Sequence, residues 1–326
     1  CFQALLETEC YRTDVSEPAA QPVYDALWAC ERCDVLYPVL GGIPILTVDP
    51  ADWLATYWDA ALATLAEALR LGPHTVSLAK QIAMTAAGAE PRRFGDDWVA
   101  HEREGLSDLP RPPFGETTLH DTDRQAPTPT GMFSEWINSS RQILIDSVLD
   151  SLEPTNDRLV IEVGPGAGTL TTQLAKRGAP TAVIDISLRS VLISLQTVEP
   201  GTAVFGIVAD AEALPISTHV AGTIVAMNVV DLLDHPEKFL LSARRVLTDG
   251  GQLVLTTPRP DLYRAEDPSE GEHILDEMVE AAGFGSISTQ DALPWIRAHH
   301  SRHYEIYWAM LLTARKTGTK IRSRHR

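Results

Sequence analysis

From residue 158 onward, short apolar runs alternate with amphipathic stretches. Leu159-Val160-Ile161-Glu162-Val163, Thr181-Ala182-Val183-Ile184, residues 203–208, Thr223-Ile224-Val225-Ala226-Met227 and Gln252-Leu253-Val254-Leu255 predict buried strands. Between them, 169–176, 188–197 and 236–247 predict helices. Strands that are apolar throughout and separated by helices imply a mostly parallel sheet covered on both faces, an α/β class. Residues 304–314 predict one further strand, and 133–152 predict a helix entering the domain, ended by Pro154.

The first 131 residues have a different texture. Two apolar runs, 35–40 and 43–46, flank Gly41-Gly42, the signature of a hairpin. From Asp52, the residues Leu54, Trp58, Leu62, Leu65 and Leu69 recur at helical spacing up to Gly72, and 75–87 predict a second helix. Prolines 91, 110, 112, 113, 127 and 129 then exclude long regular elements, predicting a long loop over or beside an active site. The expected units are a small β-rich module (1–48), a helical cap with its Pro-rich loop (49–131), an α/β domain (132–316) and a basic tail (317–326).

Charge narrows the partners. The chain carries 27 Lys plus Arg against 44 Asp plus Glu, a net −17 over 326 residues. Residues 1–156 hold 10 basic and 24 acidic side chains, whereas 157–326 hold 17 and 20, so the halves read as different modules. A surface this negative repels phosphate backbones and anionic headgroups, which disfavours nucleic acid and membrane as partners. No run approaches the roughly 18 apolar residues needed to span a bilayer, and residues 1–9 lack a signal-peptide pattern. The expected address is the cytoplasm, and a homo-oligomer is compatible with the sequence.

The segment Val163-Gly164-Pro165-Gly166-Ala167-Gly168-Thr169 carries the chemistry. A strand running into closely spaced glycines and then a helix brings bare N–H groups and a helix N-terminus up to a ligand. The G-x-G-x-G spacing departs from the dinucleotide G-x-G-x-x-G, which argues against NAD. Asp185, 21 positions after Gly164, ends the next strand where a carboxylate can accept from ribose hydroxyls. Alone, the glycine turn is shared by many nucleotide-binding and non-binding α/β folds, and an isolated Asp210 would more often cap a helix.

Together, Glu162-x-Gly164-x-Gly166-x-Gly168, Val183-Ile184-Asp185-Ile186-Ser187 and Val208-Ala209-Asp210-Ala211-Glu212-Ala213-Leu214-Pro215 resemble the successive motifs of class I S-adenosylmethionine-dependent methyltransferases. The resemblance spans about residues 133–316. It implies a Rossmann-like sheet whose last strand is antiparallel, and S-adenosyl-L-methionine as cofactor. Glu162, Gly164, Gly166 and Gly168 would hold its methionine part, Asp185 with Ile186 the ribose, and Asp210 with Ala211 the adenine. Asn228, ending the fourth strand, would face the transferring methyl.

A second resemblance lies in Trp28-Ala29-Cys30-Glu31-Arg32-Cys33 and Tyr37-Pro38-Val39-Leu40-Gly41-Gly42-Ile43-Pro44. It is to the short zinc-ribbon proteins that activate tRNA and translation-factor methyltransferases, a module also fused to methyltransferases. It implies a zinc site using Cys1, Cys30 and Cys33, with Cys10 as a substitute and a further cysteine expected three positions before residue 1. A metal-free relic held by its apolar hairpin is the alternative.

Methyl transfer from a sulfonium is an in-line displacement, so a base is needed only where the nucleophile must lose a proton. Asp231, Asp234 and His235 are the titratable groups placed for it, although His235 before Pro236 also reads as a helix cap. Trp136, His120, Asp121, Trp295, Tyr304, Tyr307 and Trp308 are candidate acceptor contacts. His299, His300 and His303 read as a solvated loop. The expected activity is methylation of an oxygen or nitrogen on a small-molecule or peptidic metabolite, as in natural product biosynthesis. The alternatives are a tRNA or rRNA methyltransferase, and a non-catalytic scaffold of the same fold.

Overall fold

A computed structural model describes residues 12–13, 26–30, 35–40, 42–54, 56–57, 132–154, 158–258, 274–300 and 303–318. Two sheets are present. The smaller comprises β1 (Arg12–Thr13), β2 (Ala26–Cys30), β3 (Val35–Leu40) and β4 (Ile43–Pro44), all antiparallel, with the expected β3–β4 hairpin around positions 41 and 42. Residues 50–54 and 56–57 are helical. Most of the cap helices and the whole Pro-rich loop, 58–131, lie outside the described residues.

The larger sheet has seven strands in the order β10-β11-β9-β8-β5-β6-β7. Its elements are α1 (Met132–Ser151), β5 (Leu159–Val163), α2 (Thr169–Lys176), β6 (Thr181–Asp185), α3 (Leu188–Gln196) and β7 (Val204–Val208). Then follow β8 (Ala221–Met227), α4 (Pro236–Val246), β9 (Leu247–Thr257), α5 (Ile274–Ala281), β10 (Phe284–His300) and β11 (His303–Lys316). β5 to β9 are parallel, and β11 returns antiparallel between β9 and β10. This is the Rossmann-like methyltransferase sheet that the resemblance implies.

The apolar runs are buried for the expected reason: helices cover both faces. Every residue of β6 is buried. On one face Leu144, Ile145, Val148 and Leu149 of α1 pack with Leu170 and Leu174 of α2 against Val160, Val225 and Val254. On the other, Phe239, Leu240, Ala243 and Val246 of α4 meet Ile161, Ile224 and Leu253. Each such fully buried large side chain contributes about 1.5–3 kcal/mol. Pro236 at the first turn starts α4 where its missing N–H costs nothing, and the chain passes from Val246 straight into β9.

The chain moves outward from β5 through β6 to β7, then returns to the other side of β5 as β8. Loops leaving β5 and β8 therefore diverge, and a crevice forms at the carboxyl edge between them. Beyond Met310, which pairs with Thr257, the β10–β11 hairpin continues past that edge as a two-stranded ribbon. α5 and β10 have no counterpart among the predicted elements.

Candidate functional site

The three acid-bearing strand ends lie side by side at the carboxyl edge of the sheet. Gly164 N–H donates to the Ile184 carbonyl at 2.8 Å and Ala209 N–H to the Asp185 carbonyl at 2.9 Å, so the sheet ladder fixes the exits of β5, β6 and β7 against one another. The glycines divide the work. Gly164 has φ +70°, and a Cβ there would lie 2.3 Å from the Val229 Cγ2, just past β8. Gly168, at φ +79°, forms the N-cap of α2, and a Cβ there would meet the Ser194 Cα of α3 at 2.6 Å. Gly166 has φ +54°, and among the described residues nothing lies within 4 Å of an added Cβ, so this side of the loop is open. α2 has no side-chain cap and no acid in its first turn, which leaves its N-terminal N–H groups and positive dipole end for a ligand.

Glu162 lies one residue before the end of β5 and is only 2% exposed. Burial pushes its carboxyl up to about 7, with Asp185 adding repulsion and Thr171 pulling the other way. Among the described residues, its Oε2 has no hydrogen-bond partner. An orphaned carboxylate oxygen at this depth carries a cost that a cationic or N–H donor from a ligand would remove.

Asp185, also buried, ends β6 and accepts from the Ser187 N–H at 2.9 Å, while the Ser187 hydroxyl caps α3 by accepting from Ser190 N–H. Asp210 follows β7 and caps the short 3₁₀ turn Ala211–Ala213, its Oδ1 accepting from Glu212 N–H at 2.8 Å. Its capping role and its position at the strand exit thus coexist.

Asn228, just past β8, has a left-handed backbone with φ +56°. Thr256, near the end of β9, holds it three times over. The Asn228 N–H donates to the Thr256 carbonyl at 2.9 Å and to its hydroxyl at 3.0 Å, and that hydroxyl donates to the Asn228 Oδ1 at 2.7 Å. Its buried amide nitrogen Nδ2 has no partner among the described residues. Next along, Asp231 Oδ1 accepts from the Thr257 hydroxyl at 3.3 Å.

The remaining candidates scatter. His235 begins α4 as expected, but its ring makes no capping hydrogen bond; it is half-exposed, with Nδ1 3.4 Å from the Glu237 carboxylate. Its backbone N–H donates to Glu212 Oε1 at 2.9 Å, tying α4 to the turn after Asp210. Trp295 on β10 packs among the α1-side core residues, with the Arg141 guanidinium 5.9 Å from its ring centroid. Trp136 is exposed on α1, and Trp308 on the ribbon is 64% exposed. Tyr304 lies in β11 opposite Ala298. His120, Asp121, Cys1, Cys10 and Cys33 lie outside the described residues, as does the Cys30 side chain. Among the described residues no cluster of three or more His, Cys, Asp or Glu is arranged for a metal, and no helix is long and apolar enough to cross a membrane.

Two contributors had no signal in the sequence. Thr256 looked like an ordinary strand-end residue. Trp53, from the helical residues after the hairpin, donates its indole N–H to the Ile186 carbonyl at 2.9 Å across 133 positions of chain.

Residues 161–255, from β5 to near the end of β9, match a family described as a methyltransferase domain. Among curated proteins, the chain is 29% identical over 125 residues to a ubiquinone biosynthesis O-methyltransferase of Xanthomonas axonopodis pv. citri, covering 37% of this chain and 51% of the relative. It is 40% identical over 57 residues to ribosomal RNA small subunit methyltransferase A of Bacillus pumilus, covering 18% and 20%. The chain thus spans about half or less of the length of these relatives. Similar solved structures include an S-adenosylmethionine-dependent methyltransferase from Mesorhizobium loti, with 12% identity and a TM-score of 0.42 over 52% of this chain and 96% of that one. Another is a Haemonchus contortus phosphoethanolamine N-methyltransferase in complex with S-adenosylhomocysteine, with 13% identity and a TM-score of 0.42 over 56% and 53%. The family match thus assigns a methyltransferase domain to residues 161–255, and the sheet order and the glycine loop accord with that fold.

Proposed function

We propose that the protein transfers a methyl group from S-adenosylmethionine to an oxygen or nitrogen of a small-molecule or peptidic metabolite. The observation that carries this is Glu162: a deeply buried carboxyl whose Oε2 has no partner among the described residues, at the strand exit beside a glycine loop in which a Cβ at Gly166 would meet none of them within 4 Å. The residues fit the cofactor. Glu162 and the N–H groups at the start of α2 would take the amino and carboxylate ends of its methionine half, Asp185 the ribose hydroxyls, and Asp210 with Ala211 the adenine edge. When bound, the cofactor supplies an electrophilic methyl on a sulfonium.

The chain's own part is then orientation. Asn228, held through Oδ1 by the Thr256 hydroxyl, would stand where the transferring methyl faces it. Asp231, steadied by Thr257, is the carboxylate nearest in sequence to that position, and it would take a proton from a hydroxyl or ammonium acceptor. His235 is the second candidate, its ring turned to Glu237. Trp136, Trp295 and Tyr304, with His120, are the proposed acceptor contacts.

Isothermal calorimetry with S-adenosylhomocysteine, followed by label transfer from methyl-labelled S-adenosylmethionine to a panel of phenols, amines and short peptides, tests the reading. Binding without transfer to anything in that panel or to RNA would favour a non-catalytic scaffold; absence of binding would remove the reading altogether. The short match to ribosomal RNA methyltransferases keeps transfer to RNA in the panel. The net charge of −17 opposes it, because a phosphate backbone calls for Lys and Arg patches. The zinc ribbon rests on its resemblance, and metal analysis of the purified chain decides it.

A further inference from the structure

The adenosyl side of the crevice is built partly by residues from before the α/β domain. Leu40, Ile43, Ile45, Trp53 and Leu54 share one buried cluster with Leu188, Val191 and Leu192 of α3 and Val208 of β7. Ile45 forms a parallel bridge with Val208, and Leu46 N–H donates to the Val208 carbonyl at 2.8 Å, which extends the sheet edge two residues before Asp210. Trp53, 3% exposed, reaches the neighbouring strand exit. The last bond between the β6 and β7 exits is Ala209 N–H to the Asp185 carbonyl, and the next carbonyl, Ile186, accepts instead from the Trp53 indole. The ring of Trp53 is itself stacked on Tyr57, with centroids 5.4 Å apart and planes at 27°. One short segment therefore grips the chain one residue after Asp185 and two residues before Asp210, the two acids proposed for the nucleoside.

We propose that Trp53 is a positioning residue for the adenosyl half of the cofactor, acting through the Ile186 carbonyl to hold the turn that carries Asp185. This rests on the function proposed above. The bond acts by pre-organisation. Asp185 presents its carboxylate from the end of a sheet ladder, where the backbone turns into α3, and each fixed hydrogen bond there removes freedom that the cofactor would otherwise have to freeze on binding. The indole is suited to this because it is rigid, fully packed, and has a single N–H to give.

The test is calorimetry of S-adenosylhomocysteine and of 5′-methylthioadenosine, which keeps the nucleoside but lacks the amino-acid end. It compares wild type, Trp53→Phe, Asp185→Asn and the double variant. Phenylalanine keeps the aromatic body beside Tyr57 and removes only the donor. Losing one neutral hydrogen bond predicts about three- to tenfold weaker binding of both probes, by the same factor. In the double variant the effect of Trp53→Phe should largely vanish, because the tryptophan acts through Asp185.

A lowered unfolding midpoint with both affinities unchanged, or equal additive losses in the double variant, would mean that Trp53 merely packs, and would overturn the inference while leaving the proposed function standing. Wild-type protein that binds neither probe removes both. If Trp53→Phe does not fold, amide exchange on the wild type decides: S-adenosylhomocysteine should slow residues 51–54 together with 186–187, and protection of 186–187 alone would overturn the coupling.

Discussion

Replacing Glu162 by Gln should make the cofactor-free protein more stable at alkaline pH and leave it nearly unchanged in acid. The folded carboxyl titrates at about 7 instead of 4.5 because it is buried, so the folded state binds the proton more tightly than the unfolded chain. Below pH 4.5 both states are protonated and nothing is lost. As pH rises the unfolded carboxyl ionises first, and above pH 7 the penalty is complete. A tenfold difference in proton affinity is worth about 1.36 kcal/mol, so the penalty reaches about 3 kcal/mol above pH 7 and stays under about 1 kcal/mol at pH 5. The isosteric amide removes the charge and keeps the volume, so the gain should follow that curve. Urea unfolding at pH 5, 6.5 and 8.5, compared between variant and wild type, reads it directly. Cofactor binding must move the opposite way. If ionised Glu162 receives the ammonium of the methionine half, wild-type affinity for S-adenosylhomocysteine should fall as pH drops below 7, up to about tenfold for each pH step of one, and Glu162→Gln should bind weakly and without that slope. Equal stability of the two proteins at pH 8.5 would refute the buried-carboxyl argument.

Other substitutions separate fold from site. Gly168→Ala and Gly166→Ala both put a Cβ on a left-handed backbone, which costs about 1–2 kcal/mol, but only at position 168 does the methyl strike the α3 backbone. Chemical denaturation should therefore rank Gly168→Ala clearly below Gly166→Ala in stability, whereas calorimetry should show that Gly166→Ala, crowding the open face of the loop, loses cofactor binding more than its stability loss explains. Asp185→Ala should weaken S-adenosylhomocysteine by about 1–3 kcal/mol, the usual loss for a charged acceptor; unchanged affinity would displace the ribose from β6. Lys316, buried at the far end of β11, donates to the Leu247 carbonyl at 2.6 Å and lies 3.2 Å from His219 Nδ1. Lys316→Met should cost about 1–3 kcal/mol in unfolding free energy by orphaning that carbonyl, with cofactor affinity unaffected.

What could be read from the chain was local. β5, β6 and β8 announce themselves because strands covered on both faces must be apolar throughout, and the glycine loop and two acids follow them at fixed short distances. The hairpin at Gly41-Gly42 and the helices 169–176, 188–197 and 236–247 carry equally local turn and period signals. β10 escaped for a physical reason: bulges between Gly285 and Ser288 and between Gln290 and Leu293, with Ser286 and Ala292 at positive φ, break the two-residue alternation. α5 is short, and its Leu275 and Val279 were not enough to stand out. His235 illustrates the limit of motif reasoning, since His-Pro correctly marks the start of α4, yet the ring turns to Glu237 rather than capping it. Trp53 and Thr256 were invisible because their importance lies in partners 133 and 28 residues away.

The central claim is that the exits of β5, β6 and β7 grip one adenosyl donor. A crystal structure determined with S-adenosylhomocysteine measures this most directly. The amino-acid end should lie beside Glu162 and Gly166, the ribose on Asp185 and the base beside Asp210. A ligand seated elsewhere, or none in the crevice at Gly166 under saturating conditions, would contradict it.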